Sequence, residues 1–110
     1  MKPLRIALLA ASVSFVSLLA HAQDVHVVSV VLKDGTIEPA VLEVPAGKRV
    51  KIMVSNEGKT PVEFESKALK FEKVLAAGAK SSVVVNPLKP GEYGFFDEFH
   101  PQATGKIVAR

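Results

Sequence analysis

The chain has 110 residues, 48% of them hydrophobic, a formal charge of +3 and no Cys or Trp. That length supports one domain. Without cysteine there is no disulfide, thiolate ligand or thiol nucleophile, so cysteine–zinc modules, iron–sulfur proteins, thioredoxin-like redox proteins and cysteine hydrolases are excluded.

The N-terminus biases these totals. Lys2 and Arg5 form a basic head, residues 6–19 are uncharged and apolar or small, and Ala20-His21-Ala22 is a small-x-small triplet. This is the layout of a secretory signal peptide cleaved after Ala22. The apolar run falls short of the roughly 20 residues that span a bilayer. No cysteine follows the cleavage point to carry a lipid. The expected organisation is a leader over 1–22 and one exported domain over 23–110, located in the periplasm with no membrane span left after cleavage. That domain keeps twelve Lys/Arg against eleven Asp/Glu, a charge of +1. It has no basic stripe, which argues against nucleic acid as a partner.

The texture after the leader is β throughout. Residues 25–32 are a β-branched run, and Asp34-Gly35 is a turn signal. Residues 36–44 read as a strand broken at Glu38-Pro39, hence an edge or bent strand. Residues 45–48 are a second turn. Over 49–55, Val50, Ile52 and Val54 alternate with Lys51, Met53 and Ser55, one set per face. A polar loop over 56–60 leads to a short strand over 61–66. Residues 67–73 could hold one weak helical turn. Further strands read over 71–75, 81–85 and 92–96, with a firm turn over 87–91. Residues 97–104 read as a loop and 105–109 as the closing strand. Seven or eight short strands at this spacing predict an all-β Greek-key sandwich.

Two clusters could carry chemistry. Glu63 and Glu65 share one face of a short strand, with Val62 and Phe64 on the other. Paired carboxylates are hard metal ligands, or simply the solvated face of a strand. Asp97, Glu98 and His100 lie within four residues, flanked by Phe96 and Phe99. Carboxylates with a neutral imidazole suit copper(II), iron or zinc; the alternative is a surface loop whose carboxylates cap backbone N–H groups. His26 would sit near the new N-terminus, where an amino-terminal copper site is conceivable but an exposed side chain is the plainer reading. Met53 falls on the outward face. No Gly-x-Ser-x-Gly elbow and no glycine-rich phosphate loop occurs, so hydrolase and kinase chemistry has no support.

The strings Ile37-Glu38-Pro39, Leu42-Glu43-Val44-Pro45-Ala46-Gly47-Lys48, Val54-Ser55-Asn56, Pro90-Gly91-Glu92-Tyr93-Gly94-Phe95-Phe96 and Gly105-Lys106-Ile107-Val108 together resemble small bacterial cupredoxin-like domains. Glu63-Phe64-Glu65-Ser66 and Phe96-Asp97-Glu98-Phe99-His100-Pro101 resemble the stand-alone secreted members of the EfeO-type subgroup, associated with ferrous-iron uptake. The resemblance implies a cupredoxin-like sandwich and a copper or iron ion held by His100, Glu98, Asp97, Glu65 and Glu63. It also implies partners among periplasmic and inner-membrane iron-transport components. It places the blue-copper Cys at Asp97 and the first His at Val62, so that ligand set is missing. The function this points to is a periplasmic metal-binding accessory of iron or copper transport, with assistance to Fe(II) oxidation as one form that role can take. A ferroxidase-like enzyme of the same fold is a competing reading. Another is a metal-free sandwich that binds a protein partner of a transport system, with Phe95, Phe96 and Phe99 as an apolar patch.

Overall fold

A computed structural model describes residues 2–3 and 24–110. Apart from residues 2 and 3, the expected leader lies outside the described residues. Among those described, no helix is long and apolar enough to cross a membrane.

Among the described residues the β-branched and alternating runs form nine strands: β1 (His26–Lys33), β2 (Thr36–Glu38), β3 (Val41–Val44), β4 (Val50–Asn56), β5 (Val62–Ser66), β6 (Phe71–Leu75), β7 (Lys80–Val85), β8 (Gly91–Asp97) and β9 (His100–Ala109). They make two mixed sheets, β2-β1-β4-β7 and β3-β9-β8-β5-β6. β1 runs parallel to β4 and β3 parallel to β9, and the other pairs are antiparallel. The inner faces enclose one core. Val50, Ile52 and Val54 enter it from β4, while Lys51, Met53 and Ser55 face outward. At its centre Phe64 packs between Phe71 and Phe95, with ring centroids 5.1 and 5.2 Å away. This is the all-β sandwich that strand spacing predicts.

Three details differ from the expectation. The stretch 36–44 is two strands in different sheets, not one bent strand. Pro39 has no N–H to give to a ladder, and from Ala40 the chain joins the other sheet, where the Ala40 carbonyl accepts from the Lys106 N–H of neighbouring β9 at 2.8 Å. Residues 67–70 form a turn rather than helix. Ser66 Oγ accepts from the Leu69 N–H at 3.1 Å, and Lys70 takes a left-handed φ of 56°. The loop expected over 97–104 shrinks to Glu98 and Phe99, because β9 begins at His100. The β8–β9 ladder absorbs the extra residues in a bulge between Phe96 and Asp97.

Candidate metal site

The β1–β2 turn, the β4–β5 loop and the β8–β9 turn meet at one pole of the sandwich. Asp97 follows Phe95 by two residues and therefore points to the core side, where it is 1% exposed. A buried carboxylate must be fully partnered. Its Oδ1 accepts from the backbone N–H of Glu63 and of Phe99, each at 3.0 Å. Its Oδ2 lies 2.7 Å from His100 Nδ1. On the other side of the ring, His100 Nε2 lies 3.3 Å from Thr60 Oγ1. The Thr60 hydroxyl donates to Asp34 Oδ1 at 2.8 Å, and Asp34 also accepts from the N–H groups of Lys59 and Thr60. The Thr60 hydroxyl and the Lys59 N–H hold the Asp34 carboxyl below the usual carboxylate range. Buried Asn56 pins the loop: its amide donates to the carbonyls of Thr60 and Leu75 and accepts from the Gly58 N–H.

The outer face of the five-stranded sheet carries the second group. Glu63 and Glu65 alternate with buried Val62, Phe64 and Ser66. The β5–β6 register places Glu65 opposite Glu72, with Glu63 on the diagonal. Glu63, Glu65 and Glu72 each offer a carboxylate oxygen, and these lie within 4.8 Å of one another. The Glu98 N–H donates to the Glu63 carbonyl at 2.9 Å, which brings a fourth carboxylate beside them. Partial burial, then the bond to and charge of Glu72, then the charges of Glu65 and Glu98 push the Glu63 carboxyl up. Partial burial, then Glu98 and Glu72, raise Glu65, with Lys67 opposing. Beside them a shallow pocket of about 240 Å³ is lined by Glu65, Ser66, Lys67, Lys70, Phe71 and Glu72.

The five residues singled out in the sequence thus fall into two groups. Asp97 and His100 pair inside the pole. Glu63, Glu65 and Glu98 gather on the outer face. Sequence reasoning missed Glu72, Asp34 and Thr60. Glu72 was within reach, since a hairpin centred on 67–70 places it against Glu65.

A blue-copper centre needs a thiolate and two imidazoles. The chain has no Cys, and Asp97 is spoken for by three donors. Val62 lies wholly within the core. These residues do not fit such a centre. The Glu63, Glu65 and Glu72 group offers carboxylate oxygens, which suit hard cations, with Lys67 and Lys70 beside them.

The family model for the cupredoxin-like domain matches residues 5–109. The chain belongs to this family of cupredoxin-like domains. It is 34% identical over 82 residues to the uncharacterised protein RP394 of Rickettsia prowazekii, covering 74% of this chain and spanning 66% of that relative's length. Among solved structures it is similar to the purple cupredoxin of Nitrosopumilus maritimus (TM-score 0.60, 18% identity, 74% of this chain and 98% of that one). It is also similar to auracyanin A, a blue copper protein of Chloroflexus aurantiacus (TM-score 0.66, 13%, 78% and 99%). A third is the metal-binding domain of the Cu(I)-exporting ATPase CopA of Streptococcus pneumoniae (TM-score 0.67, 12%, 78% and 86%). At these identities the likeness shows the fold alone.

Proposed function

We propose that the protein is a periplasmic metal-binding accessory of iron or copper transport that holds its cargo ion on carboxylate oxygens rather than in a thiolate copper centre. The observation that carries the reading is the approach of Glu63, Glu65 and Glu72 to within 4.8 Å on a rigid antiparallel pair. Like charges this close repel, and a cation relieves that repulsion while the strands keep the oxygens in place. Anionic oxygens attract a triply charged ion more than a doubly charged one, so iron held here is favoured in its ferric form. The copper proteins among its fold relatives support a metal role. The signal-peptide layout supports export, and the Glu63-Phe64-Glu65-Ser66 and Asp97-Glu98-Phe99-His100 strings support kinship with the EfeO-type subgroup and work beside an iron permease.

The test is metal content. Metal-stripped protein is equilibrated with Fe(III), Cu(II) or Zn(II), passed over a desalting column and assayed for bound metal. The expected result is one ion per chain, lost in Glu65→Gln and in Glu72→Gln. Equal retention in both variants contradicts the assignment. One observation favours a second reading: Phe99, at the tip of the β8–β9 turn, is 49% exposed. Absence of metal from every sample, with Phe99→Ser abolishing capture of a transport component, establishes the partner-binding reading instead.

A further inference from the structure

We propose that Asp34, Thr60, His100 and Asp97 form a closed hydrogen-bonded latch across the pole of the sandwich, and that Asp97 and His100 are positioning residues for the carboxylate face rather than ligands of its ion. The positioning half rests on the metal reading above; the latch does not.

Counting protons gives the chain its direction. The Asp97 carboxylate accepts, so His100 Nδ1 donates to it. Thr60 has one hydroxyl proton, and it goes to Asp34. Thr60 Oγ1 can therefore meet His100 Nε2 only as an acceptor, so the chain closes when the ring carries both protons, as an imidazolium between Asp97 and Thr60. Both ring nitrogens end on oxygens. At one end Asp34 is held by the N–H groups of Lys59 and Thr60. At the other, Asp97 is held by those of Glu63 and Phe99. An ion at Nε2 would have to take the place of the Thr60 hydroxyl.

The packing is built for this closure. A Cβ on Gly58 would fall 2.6 Å from Asp34 Oδ1, and one on Gly35 would fall 2.9 Å from Gln102 Nε2 and 3.8 Å from His100 Cδ2. Glycine at 58 lets the β4–β5 loop close on Asp34, while at Gly35 the left-handed φ of 95° is what calls for glycine. The latch reaches the carboxylate face through the backbone. Asp97 Oδ1 fixes the Glu63 N–H, and Glu63 in turn accepts from the Glu98 N–H. Loss of Asp97 removes the acceptor shared by the Glu63 and Phe99 N–H groups, loosening the start of β5 and the turn that carries Glu98 together. Groups that orient a metal's ligands without touching it typically change affinity 10–100-fold when lost.

Two readouts on the full chain test this. Thr60→Val and His100→Gln should each lower the melting temperature by about 4–8 °C. The double variant should lose clearly less than the sum, because the two residues share one chain. Zn(II) alone, titrated into labelled protein and followed by NMR, should shift the side-chain carbons of Glu63, Glu65 and Glu72 and leave the His100 ring nitrogens in place. Zn(II) affinity should fall about tenfold in Asp97→Asn or, should that variant not fold, in Thr60→Val. Additive melting losses overturn the latch. A Zn(II)-induced shift of a His100 ring nitrogen, or unchanged affinity in the variants, overturns the positioning role. If Zn(II) shifts no glutamate and neither Fe(III) nor Cu(II) broadens one, the metal reading falls and the positioning role with it, while the melting cycle still decides the latch.

Discussion

Glu65 on β5 and Glu72 on β6 stand directly opposite each other on the outer face of an antiparallel pair. Like charges in that position are destabilising. Lys73 gives no relief, because it is paired with Phe64 and so falls on the other face, and Lys67 offsets only part of the repulsion at Glu65. A bound cation would remove the rest. Glu65→Gln and Glu72→Gln should each raise the melting temperature of the metal-free protein at neutral pH, read by circular dichroism. A lower melting temperature in both would show that the carboxylates stabilise the apo fold by another route.

The acid side of the stability curve follows from the same residues. The folded-state carboxyls of Glu63 and Glu65 are raised, so the native state binds their protons more tightly than the unfolded chain does. Their effect is a loss of stability as pH climbs from the ordinary glutamate value, about 4.3, through the raised one. The advantage of Glu65→Gln over the unmodified protein should therefore exist at neutral pH and vanish below about pH 4.3. Asp34 has the opposite sign. Its carboxyl is lowered, so its contribution is present above the ordinary aspartate value, about 3.9, and is lost as pH falls through the folded one. The cost of Asp34→Asn should shrink in acid. Denaturant melts from pH 3 to 7 check both, and curves that stay parallel throughout would contradict them.

The core has an identifiable centre. Phe64 is fully buried between Phe71 and Phe95. Phe64→Ala removes that volume and leaves a cavity, a change that costs about 3–5 kcal/mol. Urea unfolding should show the midpoint falling accordingly. A loss under 1 kcal/mol would mean that the two sheets collapse onto the gap.

Gly105 tests packing at the sandwich edge. A Cβ there would fall 2.4 Å from Phe95 Cε1 and 2.6 Å from the Ala40 carbonyl oxygen. Neither the ring nor the backbone can retreat without disturbing the core. Gly105→Ala should cost about 1–3 kcal/mol, measured in the same urea series.

Much of this architecture is written in local patterns. The alternation around Val50, Ile52 and Val54 states which face of β4 is buried. Period two from Phe95 puts Asp97 on the core side and puts Glu63 and Glu65 on one face. Longer-range pairings were not legible. The Glu65–Glu72 register depends on the tight turn at Ser66–Lys70, in a stretch whose Lys67-Ala68-Leu69-Lys70 composition also suits a helical turn. Asp97 and Glu98 adjoin in sequence, yet the pleat and the bulge send them to different sides. Thr60 and Asp34 come together only because β1 and β4 run parallel and end at the same pole. No pattern within either segment announces that meeting. His100 looked like a loop residue because the polar run 97–104 hides a bulged strand.

Binding of a hard cation to the folded protein through Glu63, Glu65 and Glu72 can be read from one thermal melt: the metal-stripped protein with Fe(III), Cu(II) and Zn(II) added in turn, repeated on Glu65→Gln and His100→Ala. A ligand specific to the folded state at a hundredfold excess over Kd adds about 2.7 kcal/mol, a rise on the order of 10 °C for a domain of this size. Such a rise is expected with at least one metal, lost in Glu65→Gln and retained, from a lower baseline, in His100→Ala. A rise that survives Glu65→Gln but disappears in His100→Ala would place the ion at the pole instead of on the carboxylate face.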